Sequence, residues 1–355
     1  MSQAAANKPQ AGGIVRTVSK WLSTPEASVV VVMIVLLLVL AGRGTLPRFL
    51  SPFNQESLAR SLSLQSIFAI GELLVILTGG IDLSLGSLVS FSGMLLGTVM
   101  GRLADSGMPI GQATAIGILA VLGFSLSLGL LHAVLIQTLR LPPFVVTLAS
   151  MSMLRSAALL LNNAVPVPIQ QFELITFLGN RKLFIAGTSL GLPVSTVILI
   201  VVAIVMISIL HYTRIGRRVY SVGSNEEASR LSGVNVFHVR AFVYGTCSLL
   251  GGVAGILYAG YGAQGDPNSG VMFELNAVSA AVIGGAVLTG GRGSVIGTVL
   301  GAVLLEGILS IINLELSNPT LWRGMVVGGV LLVAVIFNQL RIMGFKPVKK
   351  LLPGR

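Results

Sequence analysis

The stretch Ala27-Ser-Val-Val-Val-Val-Met-Ile-Val-Leu-Leu-Leu-Val-Leu-Ala-Gly42 contains no charged side chain and is apolar on every face of a helix. A helix needs about 20 mostly apolar residues to cross the hydrocarbon core of a bilayer, and this stretch approaches that length. Nine further mostly apolar stretches follow, so the sequence predicts about ten membrane-spanning helices. The ten predicted spans cover residues 27–42, 62–78, 83–101, 112–138, 144–161, 191–210, 241–262, 275–290, 294–312 and 320–338.

The composition of the chain supports a membrane protein. Of its 355 residues 54% are hydrophobic, only 10% are charged, and the mean hydropathy is +0.91. Soluble globular domains contain about 25% charged residues, so this composition excludes a soluble enzyme and a disordered chain. Glycine is frequent, with 43 residues, and the single cysteine, Cys247, excludes an internal disulfide. The predicted fold class is all-α, a polytopic transmembrane bundle with glycine-rich breaks in its helices.

The distribution of basic residues orients the bundle, because cytoplasmic loops carry an excess of Lys and Arg. With the N-terminus inside, fifteen of the 23 Lys and Arg residues fall in cytoplasmic segments and six in external ones. Both termini are therefore predicted to be cytoplasmic. The basic residues form short clusters between apolar runs, which argues against nucleic-acid binding. The predicted organisation is a cytoplasmic tail over residues 1–26, a transmembrane domain over 27–338 with a charged cytoplasmic segment at 211–240, and a basic cytoplasmic tail over 339–355.

Sequence motifs for catalysis and for cofactor binding are absent. No Gly-Lys dipeptide occurs, which excludes a phosphate-binding loop of the type G-x-x-x-x-G-K-[ST]. No His-x-x-x-His or Cys-x-x-Cys spacing predicts a metal site, and there is no G-x-S-x-G nucleophile elbow. We therefore expect no catalytic residue, no metal and no cofactor. Any uphill transport must draw its energy from an ion gradient or from a partner protein.

The charged segment between the sixth and seventh predicted spans contains a short helix. Ser224 or Asn225 can cap it, and Glu226 and Glu227 then lie in its first turn, beside the positive end of the helix dipole. Gly233 is a natural C-terminal stop. A helix of about two turns is too short to be stable alone, so it needs a surface to pack against. It is either an ordinary capped helix on the membrane surface or a contact for a partner protein.

A second feature is the break Thr78-Gly-Gly-Ile-Asp82, which separates two predicted spans. Glycines allow the backbone to leave the helix, and broken helices expose carbonyl and amide groups that can line a solute path. Alternatively, the break is a tight turn in which Asp82 caps the following helix. The two roles are compatible.

Three ionisable residues, Glu72, Arg155 and Glu306, fall within predicted spans. Each would cost about 2–4 kcal/mol if it faced lipid, so each is expected to face the interior of the bundle or a wet cavity. We predict that Arg155 forms an ion pair with Glu72 or with Asp82. Such a pair either contacts the solute or has a purely structural role.

Four blocks of sequence, in the same order, resemble the permeases of ABC importers for ribose, xylose, arabinose and galactose. The first is Ile76-Leu-Thr-Gly-Gly-Ile-Asp-Leu-Ser-Leu-Gly-Ser87, and the others cover residues 141–155, 222–234 and 274–295. The resemblance extends over residues 62–334. It implies a permease subunit of the bacterial inner membrane that moves a sugar or a polyol. It also implies three partners: a cytoplasmic subunit that binds ATP, a periplasmic substrate-binding protein, and a second permease, which is another copy or a related chain.

The resemblance implies a role for the charged cytoplasmic segment. The motif Glu227-Ala228-Ser-x-x-x-Gly233, with Asn225 and Glu226 before it, is similar to the coupling motif that docks such permeases into their ATPase. That docking would supply the partner that the short helix needs. It would also account for the missing phosphate-binding loop.

Departures from the family pattern bear on the substrate. Members of the family usually have Asp at the position of Asn276, a neutral residue at that of Glu72, and Trp-Gln where this chain has Trp322-Arg323. We expect Glu72, Asp82, Asn276 and Trp322 to line the substrate pathway. The departures leave open a polyol, an inositol or a sugar with a charged substituent.

The main hypothesis is thus an ATP-driven importer subunit without catalytic residues of its own. The rival from another class is a self-sufficient ion-coupled carrier, in which Glu72, Asp82, Arg155 and Glu306 form a proton or sodium relay. An exporter or lipid flippase is a third interpretation. An intramembrane enzyme has the least support, since no arrangement of nucleophile and base is visible.

Overall fold

A computed structural model of the protein describes residues 25–184 and 191–342. Within these ranges the chain forms fourteen helices and two short strand pairs, which confirms the all-α prediction. The helices are α1 (Pro25–Gly42), α2 (Leu46–Phe49), α3 (Pro52–Leu77), α4 (Leu85–Asp105), α5 (Ile110–Thr138), α6 (Pro143–Leu160), α7 (Glu173–Asn180), α8 (Val194–Tyr212), α9 (Arg214–Ser224), α10 (Glu226–Leu231), α11 (Val236–Gly262), α12 (Phe273–Ile283), α13 (Val295–Glu315) and α14 (Pro319–Ile342). The strands are β1 (Val167–Pro168), β2 (Lys182–Phe184), β3 (Gly191–Pro193) and β4 (Gln264–Gly265).

Eight of these helices are long and apolar enough to cross a membrane. They are α3, α4, α5, α6, α8, α11, α13 and α14, and each coincides with a predicted span. The first predicted span corresponds to α1, whose apolar part, Glu26–Gly42, is shorter. The predicted cytoplasmic tails fall almost wholly outside the described residues, so their placement stays a prediction.

The predicted span over residues 275–290 is wrong in its extent. The helix in this region, α12, has eleven residues and is about 16 Å long, roughly half the thickness of the hydrocarbon core. It ends where Gly284 and Gly285 follow, and Gly285 has a φ of +94°, which stops a right-handed helix. Residues 284–294 then continue without regular structure to the start of α13.

The central helix is α3, which is buried at every residue from Ser63 to Leu77. It packs against α8, α11, α12 and α13, which explains why apolar residues occupy all of its faces. Gly71 permits the close approach of α11, since a Cβ there would lie 3.0 Å from the Cα of Cys247. The absence of a side chain at such a position is typical of membrane helices in close contact.

The helices are broken at glycines, as the sequence predicts. After Leu77, the last residue of α3, Thr78 leaves the helical conformation and Gly79 has a φ of +76°. The chain then runs without helix to Leu85, where α4 begins. A second irregular segment with glycines at positive φ, including Gly290 and Gly291, joins α12 to α13.

The segment between α6 and α8 covers the outer end of the bundle in the predicted orientation. It contains α7, the β1 strand, which pairs antiparallel with β4, and the β2–β3 pair. Arg60 of α3 fixes α7 in place. Its guanidinium donates hydrogen bonds to the carbonyl oxygen of Gly179 at 2.7 Å and to Oδ1 of Asn180 at 2.9 Å.

Candidate functional site

The charged cytoplasmic segment folds as two consecutive helices, α9 and α10. The side chain of Asn225 caps α10 by accepting a hydrogen bond from the backbone N–H of Ala228 at 2.9 Å, which identifies Asn225 rather than Ser224 as the cap. The helix has six residues, about 9 Å, and is shorter than the two turns predicted. Gly233, at φ +81°, follows the C-cap and ends it as expected.

Glu226 forms one ion pair within α10 and one that holds α10 against α11. Its carboxylate accepts hydrogen bonds from Arg230, at 2.8 Å, and from Arg240 in the first turns of α11, at 2.6 Å. The side chain of Glu227, in contrast, is 73% exposed, and its nearest cation, Arg230, is 4.0 Å away. Leu231 at the end of the helix is 82% exposed. The helix is therefore fixed on one side and presents a carboxylate and an apolar side chain on the other.

A cluster of close backbone contacts connects α9 to the end of α3, and we call it the glycine junction. Its members are Gly79, Gly223, Gly290 and Gly291. The backbone N–H of Gly291 donates to the carbonyl oxygen of Leu77 at 2.9 Å. A Cβ on Gly223 would overlap that carbonyl oxygen and would lie 2.7 Å from the nitrogen of Gly291, and one on Gly290 would lie 3.0 Å from the nitrogen of Gly79. Three separate segments thus meet where only glycine fits.

Tyr220 of α9 adds a side-chain contact to the glycine junction. Its hydroxyl donates to the carbonyl oxygen of Gly293 at 3.0 Å. Burial raises the pKa of this phenol above its ordinary value, so the hydroxyl stays a neutral donor across the physiological range. Helix α9 is consequently in contact with both glycine-rich breaks of the bundle.

The break between α3 and α4 encloses a pair of buried carboxylates. The carboxylate of Asp82 accepts hydrogen bonds from the backbone N–H of Ser84 at 2.9 Å and from its hydroxyl at 2.6 Å. The backbone N–H of Asp82 donates in turn to the carboxylate of Glu72 at 3.1 Å. Asp82 thus caps the turn before α4, while Ser84 occupies the N-cap position itself. Both carboxylates are fully buried, so neither is exposed in this conformation.

His132 of α5, which the sequence analysis did not single out, is the side chain that faces Asp82 across the break. Its Nδ1 lies 3.7 Å from Oδ2 of Asp82, and its Nε2 lies 2.8 Å from the hydroxyl oxygen of Ser150 on α6. Like Asp82, His132 is completely buried. The contact joins α5 and α6 to the break. Its only sequence signal is a lone histidine in an apolar helix.

The predicted ion pair of Arg155 with Glu72 or Asp82 does not form between these described residues. The Arg155 guanidinium donates instead to the carbonyl oxygen of Ser269, at 2.6 Å, and to the hydroxyl of Ser90, at 3.4 Å. The prediction fails for two reasons. Asp82 already contacts His132. Arg155 lies near the start of α12, where its acidic neighbour is Glu274.

The remaining predicted pathway residues lie apart from the break. Asn276 is buried on α12, and among the described residues its side-chain Oδ1 has no hydrogen-bond partner. Trp322, in the first turn of α14, is 45% exposed and is absent from the buried clusters. Glu306 of α13, which is not one of the four predicted pathway residues, is also buried, and its carboxylate interacts electrostatically with Arg323. The four predicted pathway residues are therefore two buried carboxylates, Glu72 and Asp82, the buried amide of Asn276 and the partly exposed indole of Trp322.

The described part of the chain contains no group of three His, Cys, Asp or Glu side chains placed to hold a metal ion. The polar atoms of the break are joined to one another and to the backbone. Their arrangement fixes the positions of the helices around the break.

Replacing His132 by leucine is expected to lower the stability of the folded protein by about 3 kcal/mol, because it leaves both the buried Asp82 carboxylate and the Ser150 hydroxyl without the imidazole that faces them. Ser150→Ala removes only the hydrogen bond to the same ring and is expected to cost about 1 kcal/mol. Thermal unfolding of the two variants in detergent measures the difference. Equal unfolding temperatures for both variants and the wild type would contradict this account of the cluster.

A bundle of apolar helices, broken at glycines and carrying a charged helix pair at one end, is typical of a polytopic membrane protein. Residues 54–335 match the family described as "Branched-chain amino acid transport system / permease component", and the chain belongs to this family.

Several curated relatives match most of the chain. The ribose import permease protein RbsC of Escherichia coli (strain K12) is 34% identical over 308 residues, which are 86% of this chain and 92% of the relative. The L-arabinose ABC transporter permease protein AraH of Azospirillum brasilense is 32% identical over 324 residues, 90% of this chain and 89% of the relative. The comparison with solved structures found no match. The chain is thus a permease component of an ABC importer, as predicted, and these findings favour that function over an ion-coupled carrier.

Proposed function

We propose that this chain is the membrane-spanning subunit of an importer for a monosaccharide or a polyol, driven by ATP hydrolysis in a separate cytoplasmic subunit. The named relatives of Escherichia coli and Azospirillum brasilense, which carry ribose and arabinose, support a sugar substrate. The family description mentions amino acids, but the full-length similarity is to the sugar permeases. The chain itself holds no ATP and no other cofactor.

The observation that carries the proposal is the surface of α10. A six-residue helix exposes Glu227 and Leu231 while Glu226 ties its other side to Arg240. A helix this short gains stability from what it contacts, and its exposed residues are a carboxylate and an apolar group suited to a protein partner. We assign this surface to the ATPase subunit.

The glycine junction supplies the mechanical connection. A displacement of α10 by the ATPase moves α9, and α9 contacts the end of α3 and the segment that follows α12 at the same point. Because no side chain separates the backbones at these glycines, a movement of α9 displaces the two neighbouring segments directly. Alternating access then follows as the two glycine-rich breaks change position relative to the rest of the bundle.

The other partners follow from the same class of transporter. A periplasmic binding protein delivers the solute to the outer face, and a second permease, another copy or a related chain, completes the pathway. The location is the inner membrane of a bacterium. Among the pathway candidates, the geometry favours Asn276, since its buried amide oxygen is unsatisfied. Asp82 and Glu72 instead stabilise the break.

Uptake by cells that lack this chain tests the proposal. We expect the deletion to abolish uptake of one of radiolabelled ribose, arabinose or inositol, and a plasmid copy to restore it. Leucine uptake, measured in the same cells, is expected to be unaffected, since the matched relatives carry sugars. A deletion that abolishes leucine uptake and leaves all three sugars and polyols unchanged would contradict the proposed substrate class.

A further inference from the structure

Aromatic rings form a continuous row where α3, α11 and α12 cross. Phe68 of α3 stacks on Phe273 of α12, with ring centroids 5.6 Å apart and an angle of 8° between the planes. Tyr258 of α11 packs edge-on against Phe273 at 5.5 Å, and Tyr261 lies 6.5 Å from Tyr258. The guanidinium of Arg60 lies 5.0 Å over the Tyr261 ring. We call these four rings the aromatic row.

The aromatic row leads from the outer surface into the bundle. Tyr261, near the end of α11, is 43% exposed, and Phe68 at the other end is buried. Tyr258 and Phe273, between them, are half-buried. A solute that arrives from the outer side in the predicted orientation therefore meets the exposed ring first.

Two amide side chains lie one helical turn from the stacked rings. Gln65 is three residues before Phe68 on α3, and Asn276 is three residues after Phe273 on α12, so each shares a face with its ring. Both residues are more than nine-tenths buried. Within the described chain, the Nε2 of Gln65 and the Oδ1 of Asn276 have no hydrogen-bond partner. Buried polar atoms are nearly always hydrogen-bonded in folded proteins, so this donor and this acceptor, on the faces that carry the two stacked rings, are available to a ligand.

Charged groups of both signs lie near the aromatic row. Arg60, which lies over Tyr261, forms an ion pair with Glu56 at 3.2 Å. Glu274, next to Phe273 in sequence, lies in the electrostatic reach of Arg155. Because both signs are present, the surroundings do not favour an ionised ligand over a neutral one.

We propose that the aromatic row, with Gln65 and Asn276, is a transient binding site for the ring of a neutral monosaccharide. A sugar ring has an apolar face of C–H groups, which packs on aromatic rings, and a rim of hydroxyls, which both donate and accept hydrogen bonds. The rim would satisfy the Gln65 donor, through a hydroxyl oxygen, and the Asn276 acceptor, through a hydroxyl proton. This inference rests on the proposed function and specifies where in the chain the sugar binds.

Cysteine labelling of the purified chain in proteoliposomes tests the site. The native Cys247 is buried and gives a silent background. We expect Asn276→Cys to react with a small water-soluble methanethiosulfonate reagent, and saturating ribose or arabinose to slow that reaction about tenfold, as mass action predicts when about nine sites in ten are occupied. Ser106→Cys, exposed at the end of α4, is expected to react at a rate that neither sugar changes.

Gln65→Cys provides a second position in case the first variant does not fold. If neither sugar slows the labelling of the thiol at either position, the proposed site is wrong. Failure of both thiols to react would overturn it as well, because a path that admits a sugar admits the reagent.

Uptake by the complete complex separates this inference from the proposed function. Phe273→Ala is expected to reduce uptake of the same sugar about tenfold, with Phe273→Tyr restoring it, because the ring provides the stacking surface. Phe124→Ala disrupts a comparable pair, Phe91–Phe124, elsewhere in the bundle and is expected to leave uptake per folded molecule unchanged. Normal uptake by Phe273→Ala overturns the site and leaves the proposed function standing. A wild-type complex that imports no sugar or polyol overturns the proposed function instead.

Discussion

Uptake is expected to fall to background when Glu227 is replaced by lysine, while the variant chain reaches the membrane at the wild-type level. Glu227 is exposed and makes only a 4.0 Å contact within the chain, so the substitution leaves the fold intact. It does invert the charge that α10 offers to the ATPase. Replacing a carboxylate by an ammonium group at a charge-complementary interface costs several kcal/mol, which corresponds to a loss of affinity of about a hundredfold or more.

Copurification of the ATPase subunit and ATP-dependent uptake in proteoliposomes are the two measurements. The matched control is Asp105→Lys, which makes the same change of charge at an exposed residue at the opposite end of the bundle. It is expected to bind the ATPase and to transport normally. Wild-type uptake by Glu227→Lys would show that α10 is not the docking surface.

Gly223→Ala is expected to separate ATP hydrolysis from transport. A single Cβ at this position would overlap the carbonyl oxygen of Leu77 and approach the nitrogen of Gly291, so α9 must move away from the end of α3. The docking surface of α10 stays in place, since Asn225 and Glu226 maintain it. The assembled complex should therefore hydrolyse ATP at about the wild-type rate while uptake falls about tenfold or more.

Gly307→Ala is the control for this variant. Gly307 lies within α13, and a Cβ there would meet nothing within 4 Å. Alanine is favoured over glycine inside a helix by about 1 kcal/mol, so this variant is expected to be at least as stable as the wild type and fully active. If Gly223→Ala lowers uptake and ATP hydrolysis to the same extent, or changes neither, the glycine junction is not the point of transmission.

The sequence was sufficient for features that depend on neighbouring residues. A cap at Ser224 or Asn225, the stop at Gly233 and the break at Gly79 each follow from local backbone preferences, and the structure has all three, with Asn225 as the cap. The apolar spans are equally local, because each helix crosses the bilayer on its own hydrophobicity. The exception is α12, in which the apolar residues continue past a glycine pair that ends the helix.

Contacts between distant segments could not be predicted in this way. His132 faces Asp82 only because α5 packs beside the break, 50 residues along the chain, and a single histidine gives no sign of its partner. The same reasoning explains the error for Arg155, whose partner depends on where α12 begins. The glycine junction is a further case, since Gly223 and Leu77 meet through the fold alone.

The central claim is that a separate ATPase drives this chain through α10, and reconstitution tests it most directly. The purified chain, alone in proteoliposomes with a proton or sodium gradient and its sugar outside, is expected to accumulate none. Addition of the ATPase subunit, the binding protein and ATP is expected to produce concentrative uptake, and the Glu227→Lys chain should fail under the same conditions. Accumulation by the chain alone, without any nucleotide-hydrolysing partner, would contradict the account.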